Sequence, residues 1–182
     1  MKAVNALLIL IAVVLAGGMP AFAQQGGTLS TYKLGAGDVI SIKVFGEEDL
    51  SREKIQVSDA GTVPYPVLGE LKILGRTVGE LERQVTEGLR GRYLVNPRVS
   101  VTIELYRPFF VNGQVASPGA FPFQPGLTVS KAISLAGGLK ERASVNKMYL
   151  LREADSSHTR AKVDMNSEVR PGDVLTVEES FF

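Results

Sequence analysis

The sequence predicts an α+β fold, and three observations lead to that prediction. Residues Val99 to Leu105 alternate between apolar and polar side chains, which is the pattern of a half-buried strand. Two segments begin at a hydroxyl residue, Thr77 or Thr128, and then carry apolar residues at helical spacing. Short β-branched segments, separated by Gly, Pro and Asp turns, flank both helices. We therefore expect sheets with helices packed against them.

The first 23 residues have the features of a cleaved export signal. Lys2 supplies a positive start, Ala6 to Ala16 is an unbroken apolar run, and Ala21-Phe22-Ala23 is an A-x-A cleavage site. The apolar run is shorter than the roughly 20 residues that span a bilayer. A buried N-terminal helix is the alternative. Residues 24–30, made of Gln, Gly, Thr, Leu and Ser, are expected to form a flexible tether.

Composition narrows the possible partners and the source of stability. The chain has 182 residues and no cysteine, so an exported form must depend on core burial rather than on disulfides. Its formal net charge is +1, and loss of Lys2 with the signal would bring it to 0. Phosphate binding needs a concentrated basic face, and the absence of any basic block argues against nucleic acid. A neutral or weakly charged ligand fits the composition better.

The section from 31 to 107 contains one predicted helix among short strands. We predict strands at 39–45, 55–58 and 99–105, and an extended or edge segment at 63–67, where prolines cannot donate to a sheet. A capping box at Thr77 and Glu80 begins a helix that ends near Gly91. On the last strand, the side chains expected to share the buried face are Val99, Val101, Ile103 and Leu105.

The section from 108 to 182 also contains one predicted helix among short strands. Thr128 caps a helix that Gly137-Gly138 terminates. We predict strands at 110–115, 148–152, 160–165 and 174–178, a turn at 116–119 and a polar turn at 154–159.

Two short segments share a Gly-Asp-Val pattern that leads into a strand. They are Gly37-Asp38-Val39 and Gly172-Asp173-Val174, and in both the following residues alternate between apolar and hydroxyl side chains. An aspartate in such a turn can accept hydrogen bonds from the backbone N–H groups of its own turn. Turn preference alone explains the similarity, and we favour convergent turn chemistry over an internal duplication.

The sequence offers no convergent set of catalytic groups. His158, the only histidine, lies in a polar turn, and its sequence neighbours cannot form a triad, whose members come from separate elements. The acids Glu47–Asp49 are consecutive, whereas glycosidases hold two carboxyls across a cleft. Two S-x-x-K matches, at Ser30 and Ser51, lack the accompanying K-T-G strand. We therefore expect no enzyme activity, no cofactor and no metal.

Aromatic residues are the candidates for contact with sugar rings. Phenylalanines are more typical of cores, whereas a tyrosine hydroxyl tolerates water. The candidate sugar-facing residues are therefore Tyr65, Tyr93 and Tyr106.

Several ordered motifs resemble one family. Three stretches resemble, in order, the polysaccharide biosynthesis/export domain of Wza-type outer-membrane exporters: YKLGAGDVISIKVFGEEDL, VSDAGTVPYPVLGELKILGRTVGELERQVTEGL and YLVNPRVSVTI. Three later stretches resemble the soluble-ligand-binding β-grasp (SLBB) domain that follows it in that family: VNGQVASPGAF, GLTVSKAISLAGGL and RPGDVLTV. The resemblance implies a polysaccharide export domain at 31–107 and one β-grasp-like SLBB domain at 108–182.

The resemblance also implies a function and partners. Members of this family form homo-oligomeric rings in the periplasm under the outer membrane, conduct capsular or exopolysaccharide chains outward, and engage an inner-membrane copolymerase. In this interpretation the turn loops serve subunit contacts or ligand binding. The candidate loop residues are Gly37, Asp38, Asp59, Gly61, Gly113, Gln114, Pro118, Gly119, Gly172 and Asp173.

Two features depart from the family pattern. Wza-type members commonly carry a lipidated cysteine, and this sequence has none. It also ends at Phe182 after one SLBB unit, so we expect it to dock onto a separate outer-membrane β-barrel and the terminal Phe181-Phe182 to contact a partner or neighbouring subunit. The alternative hypothesis is a monomeric periplasmic protein that binds a glycan or another ligand.

Overall fold

The computed structural model describes residues 31–153 and 159–180. The predicted export signal, the tether, most of the polar turn at 154–159 with His158, and Phe181-Phe182 lie outside the described residues. The described chain contains ten strands in three sheets, two α-helices and one short 3₁₀ helix at Glu48–Leu50. The predicted α+β class is confirmed.

The first sheet has three antiparallel strands in the order β2-β1-β5. Their bounds are Val39–Val44 for β1, Arg52–Gln56 for β2 and Val99–Leu105 for β5. Ile40 pairs with Ile103 and Ile42 pairs with Val101, which places apolar side chains together on one face. The strand predicted at 55–58 forms three residues earlier, because it pairs with β1 from Arg52 onward.

Leu105 does not lie on the buried face as predicted from the alternation. Its side chain is 64% exposed, whereas Val101 on the same strand is 5% exposed. The register between β1 and β5 shifts between Val39 and Ile40, at the end of β5 where Leu105 lies. A register shift of one residue turns a side chain to the other face of a sheet, so Leu105 leaves the core.

Helix α1 (Val78–Leu89) covers the apolar face of this sheet. Leu81, Val85 and Leu89 are fully buried, and they lie at the i, i+4, i+8 spacing of one helical stripe. The predicted capping box is confirmed: Thr77 Oγ1 accepts from the Glu80 N–H at 3.3 Å, and Glu80 Oε2 accepts from the Thr77 N–H at 2.7 Å. Two of the unpaired N–H groups at the helix start are thereby satisfied.

The capping box predicts a measurable loss on one substitution. We expect Thr77→Ala to lower the free energy of unfolding by about 1 kcal/mol, because it removes the oxygen that accepts from the first turn. Thr77→Ser keeps that oxygen and should stay close to wild type. Urea unfolding of both variants tests this, and equal losses for Ala and Ser would show that the cap contributes nothing.

A two-stranded hairpin, β3 (Thr62–Tyr65) with β4 (Gly69–Lys72), packs under the same core. Val63 and Ile73 are completely buried. Pro64 is tolerated because both strands of a two-stranded sheet are edges, and this confirms the predicted edge segment. The partner strand β4 had no clear period in the sequence and was not predicted.

The second sheet has five strands in the order β7-β6-β10-β8-β9. Its strands are β6 (Phe109–Gly113), β7 (Gly119–Phe121), β8 (Ala143–Leu151), β9 (Arg160–Val163) and β10 (Val174–Glu179). β6 and β10 run parallel and the other pairs run antiparallel, so the sheet is mixed. Helix α2 (Val129–Leu135), capped by Thr128, buries Val129, Ala132 and Ile133 against it.

The described residues form two hydrophobic cores. β1–β5 and α1 enclose the first, and this part is called the first unit. β6–β10 and α2 enclose the second, and this part is called the second unit. Residues 106–108 connect the two units, and the side chains around this connection form the junction described next.

Candidate functional site

The two Gly-Asp turns have the same hydrogen-bonded geometry. Asp38 Oδ2 accepts from the N–H of Gly35, three residues earlier, at 2.8 Å. Asp173 Oδ2 accepts from the N–H of Arg170, also three residues earlier, at 2.8 Å. The glycine before each aspartate has a positive φ, which any larger residue adopts only with strain. The predicted turn chemistry is confirmed in both places.

Both aspartates are buried and each is neutralised by an arginine. Asp38 and Asp173 are 0% and 2% exposed. The guanidinium of Arg107 lies 3.2 Å from Asp38 Oδ2, and that of Arg152 contacts Asp173 Oδ2. A buried carboxylate is costly unless it is paired and hydrogen-bonded. The two arginines therefore make these turns possible.

Arg107 belongs to the connection between the units and binds both of them. Its backbone N–H donates to Asp38 Oδ1 at 2.8 Å, and its Nη1 donates to the Tyr32 hydroxyl at 2.6 Å. Its Nε donates to Glu153 Oε2, just after β8 of the second unit, at 2.6 Å. One guanidinium thus joins a turn of the first unit to a carboxylate of the second.

Two glycines make room for this guanidinium. A Cβ built on Gly35 would overlap the guanidinium of Arg107. A Cβ built on Gly172, whose φ is +82°, would overlap the carboxylate of Glu153 and approach Arg107 Nε at 3.0 Å. Gly35, in the first turn, therefore packs against the guanidinium of Arg107, and Gly172, in the second turn, packs against the Glu153 carboxylate that pairs with it.

A chain of three aromatic rings reinforces the same junction. Tyr32 of the first unit contacts Tyr106 edge-to-face with ring centres 5.0 Å apart. Tyr106 contacts Phe123 of the second unit in the same manner at 5.3 Å. Edge-to-face pairs at such distances are favourable beyond the area they bury. The junction therefore combines charge, hydrogen bonds and aromatic packing.

Burial alters the ionisation of two junction groups. It raises the pKa of the Tyr32 hydroxyl far above its ordinary value, and the hydrogen bond to Asp38 adds to that rise. Burial also raises the pKa of the Asp173 carboxyl, although the Arg170 N–H and the Arg152 guanidinium offset part of the rise. Tyr32 therefore remains a neutral donor to Asp38 at any physiological pH.

The structure separates the candidate loop residues. Gly37, Asp38, Gly172 and Asp173 meet at or next to the junction, and their contacts lie within the chain. Asp59 is exposed in the turn between β2 and β3, where Gly61 packs closely on Leu74. The other four, Gly113, Gln114, Pro118 and Gly119, lie from the last residue of β6 to the first residue of β7, at the far end of β6 from Arg107.

Gly113 and Gly119 differ in their surroundings although both were candidates. Gly113 has φ +89°, and a Cβ there would overlap the carbonyl oxygen of Val177 in the neighbouring β10. A Cβ on Gly119 would meet no atom within 4 Å. Gly113 is therefore required for the packing of β6 against β10, whatever else it does.

The three candidate tyrosines have three different environments. Tyr65 is 4% exposed and donates to the Leu50 carbonyl at 2.7 Å, so the prediction that it faces sugar is wrong. A ring in the core with its hydroxyl already satisfied is not available to a polymer. Tyr106 is committed to the junction. Tyr93 is 38% exposed and donates to the Val67 carbonyl at 3.1 Å.

Sequence reasoning missed the residues that complete the junction, namely Tyr32, Arg107, Arg152 and Glu153. Arg107 lies 69 residues from Asp38, and no local pattern connects them. The only signal was the pair of Gly-Asp motifs, because a buried aspartate requires a cation.

The first unit also carries a concave polar surface, which we call the outer-face groove. It has a volume of about 830 Å³ and lies on the face of the sheet opposite α1. Its floor consists of side chains of β1, β2 and β5, and its rim is the segment between β1 and β2. The lining side chains include Ser41, Lys43, Phe45, Glu48, Arg52, Glu53, Lys54, Ser100, Thr102 and Glu104.

Residues 31–153 and 159–180 contain neither a candidate metal site nor a helix suited to cross a membrane. No group of three or more His, Cys, Asp or Glu side chains there could hold a metal ion. Neither α-helix of these ranges has the length and apolar character that a membrane crossing requires.

Comparison with known proteins agrees with the two-unit architecture. Residues 27–104 match the polysaccharide biosynthesis/export protein family, and residues 108–162 match the SLBB domain. The fold and these matches define an α+β protein with an export domain followed by an SLBB domain. The chain belongs to the polysaccharide biosynthesis/export family.

Individual relatives carry export-related names. The chain is 31% identical over 136 residues to the exopolysaccharide production protein ExoF of Rhizobium meliloti (strain 1021), covering 67% of this chain and 32% of that protein. It is 24% identical over 181 residues to the EPS I polysaccharide export outer membrane protein EpsA of Ralstonia nicotianae (strain ATCC BAA-1114 / GMI1000), covering 81% of this chain and 47% of that protein. The chain thus spans about a third to a half of the length of these relatives.

Proposed function

We propose that this protein is a periplasmic component of an outer-membrane channel that exports an exopolysaccharide or capsular polysaccharide, and that it acts as a ring of identical subunits. The observation that carries the proposal is the export domain followed in the same chain by an SLBB domain. The relatives named for exopolysaccharide production and polysaccharide export support the same role.

The junction supports an assembly role on physical grounds. A ring closes only if every subunit presents its two contact surfaces at the same angle. If those surfaces lie on different units, a flexible connection between the units would let that angle vary from one subunit to the next. The Arg107 cluster and the aromatic chain restrict it. The joint is thus suited to a subunit that must repeat one geometry around a ring.

The chemistry of the described residues is consistent with transport rather than catalysis. The two most deeply buried acids, Asp38 and Asp173, are each held by an arginine and by backbone N–H groups. They are thereby committed to structure, and neither is paired with a nucleophile. We propose that the protein has no enzymatic activity and that its partners are the polysaccharide, an inner-membrane copolymerase and an outer-membrane component.

A monomeric periplasmic glycan-binding protein is the second candidate, and the outer-face groove would be its ligand site. A cleft of about 830 Å³ is large enough for a ligand in either hypothesis. The two hypotheses differ in oligomeric state.

Light scattering of the purified protein, with cross-linking in intact cells, tests the ring. We expect one large species of defined mass in solution and a ladder of cross-linked multiples in cells. A strict monomer at all concentrations, without cross-linked multiples in cells, would contradict the ring and leave the binding protein.

A further inference from the structure

The outer face of the first sheet presents a row of polar side chains beside one aromatic ring. Alternation along β1 buries Ile40, Ile42 and Val44 and turns Ser41 and Lys43 outward, with Phe45 directly after the strand. Ser41 lies opposite Thr102 and Lys43 lies opposite Ser100 on the neighbouring β5. Phe45 is 52% exposed, and the Lys43 ammonium lies 5.7 Å from its ring centre.

A second lysine of the groove, Lys54, has a strained backbone conformation. The pairing of β1 with β2 shifts between Ile40 and Ile42, and Lys54 lies at this irregularity with φ +53°. Its backbone N–H donates to Ser41 Oγ at 3.1 Å. Bulges of this kind re-aim a side chain, and a non-glycine residue in this conformation needs support from its surroundings. Ser41 supplies that support from the groove floor.

Among the described residues, the charged side chains of the groove floor do not form ion pairs with one another. Within the described residues, Lys43, Lys54 and Glu104 form no ion pair, and the hydroxyls of Ser100 and Thr102 form no hydrogen bond with another described residue. The floor therefore offers donors and acceptors of both kinds to a ligand.

The charge balance of the groove selects among ligands. Its lining includes three cations, Lys43, Arg52 and Lys54, and three anions, Glu48, Glu53 and Glu104. A dense polyanion would meet as much repulsion as attraction on such a surface, and an apolar partner would bury unpaired charges. A sugar chain fits better, because each hydroxyl both donates and accepts and an aromatic ring packs against the apolar face of a pyranose.

We propose that the outer-face groove binds a short run of sugar units of the polysaccharide that the protein helps to export. Phe45 supplies the stacking surface, and Lys43, Thr102 and Glu104 supply hydrogen bonds. This inference rests on the proposed role in export. It adds a location: the polymer contacts the polar face of the β2-β1-β5 sheet.

The affinity of a paired variant tests the groove. The probe is the polysaccharide that the host strain secretes, cut into short oligosaccharides, and binding to the purified protein is measured by calorimetry. We expect Lys43→Gln with Phe45→Ala to weaken binding about tenfold, because one ring contact and one charged hydrogen bond are lost. Oligosaccharide should also slow amide exchange at 41–54 and 100–104 in the unmodified protein.

A matched control uses the same residue types on the second unit. Lys162→Gln with Phe110→Ala removes an exposed lysine and a 40% exposed phenylalanine outside the groove, and it should bind like the unmodified protein. Equal weakening by both pairs, protection elsewhere, or no binding to the unmodified protein would overturn the inference. If a deletion strain secretes normally, the export role fails. If secretion needs the protein but tolerates the groove variant, the inference about the groove is contradicted and the export role stands.

Discussion

Arg107→Met is expected to destabilise the protein by about 3 kcal/mol, because it leaves the carboxylate of Asp38 buried without its cation. Asp38 is 0% exposed, while three donors remain to it: the N–H groups of Gly35 and residue 107, and the Tyr32 hydroxyl. These donors keep the loss at the lower end of the range for a broken buried pair. Urea unfolding measures it.

The same variant should loosen the joint between the two units. Without the contact of Arg107 Nε to Glu153, the aromatic chain and the backbone still join the two units at this point. Amide exchange should become faster at 35–38 and 170–173 and stay unchanged in α1 and α2. Small-angle scattering should report a broader distribution of sizes.

Arg142→Met is the matched control for Arg107. Arg142 also pairs with a glutamate, Glu179, at 3.1 Å, but its side chain is 80% exposed. Exposed pairs contribute roughly 0 to 1 kcal/mol. If Arg107→Met and Arg142→Met unfold at the same urea concentration, the Arg107 cluster is not the main stabilising contact of the junction.

Gly113→Ala is expected to cost about 3 kcal/mol, from backbone strain and from a steric clash together. The new Cβ would overlap the carbonyl oxygen of Val177, which lies on β10 in the centre of the second sheet. Neither atom can turn away, because the carbonyl oxygen belongs to the backbone and the Cβ is bonded directly to it. Thermal unfolding monitored in the second unit measures the loss.

Gly46→Ala separates the two contributions. Gly46 has φ +86°, close to the +89° of Gly113, but a Cβ there would meet nothing within 4 Å. It should therefore show the strain alone, about 1 kcal/mol. Gly119→Ala, also in open space, should leave the second sheet intact. A loss at Gly113 no larger than at Gly46 would show that β10 moves aside without cost.

The sequence predicted the elements that are held together by residues close to one another in the chain. The capping box at Thr77, the alternation through Val101 and Ile103, and the turns at Gly37 and Gly172 depend on residues within a few positions of one another. Each of these was readable from spacing and residue type, and each is present.

Long-range contacts were not readable in this way. Asp38 was recognised as a turn residue, yet its burial depends on Arg107, and that arginine is held in turn by Glu153, 46 residues further on. Tyr65 resembled a residue for a wet surface, because a tyrosine hydroxyl tolerates water. The hairpin instead turns its ring inward onto the Leu50 carbonyl. Contacts between residues that are far apart in the sequence determine the surroundings of both Asp38 and Tyr65.

The groove was also hidden in the sequence, for a related reason. Ser41, Lys43 and Thr102 are ordinary outward residues of half-buried strands. Only the pairing of β1 with β5, and the irregularity that places Lys54 beside Ser41, collects them on one concave surface.

The amount of polysaccharide outside and inside cells tests the proposed export role most directly. In a strain lacking this protein, we expect secreted polymer to fall to the background of a non-producing strain. The intact gene and the Arg142→Met variant should restore secretion, whereas Arg107→Met should restore it only in part. Unchanged secretion in the deletion strain would contradict the export role.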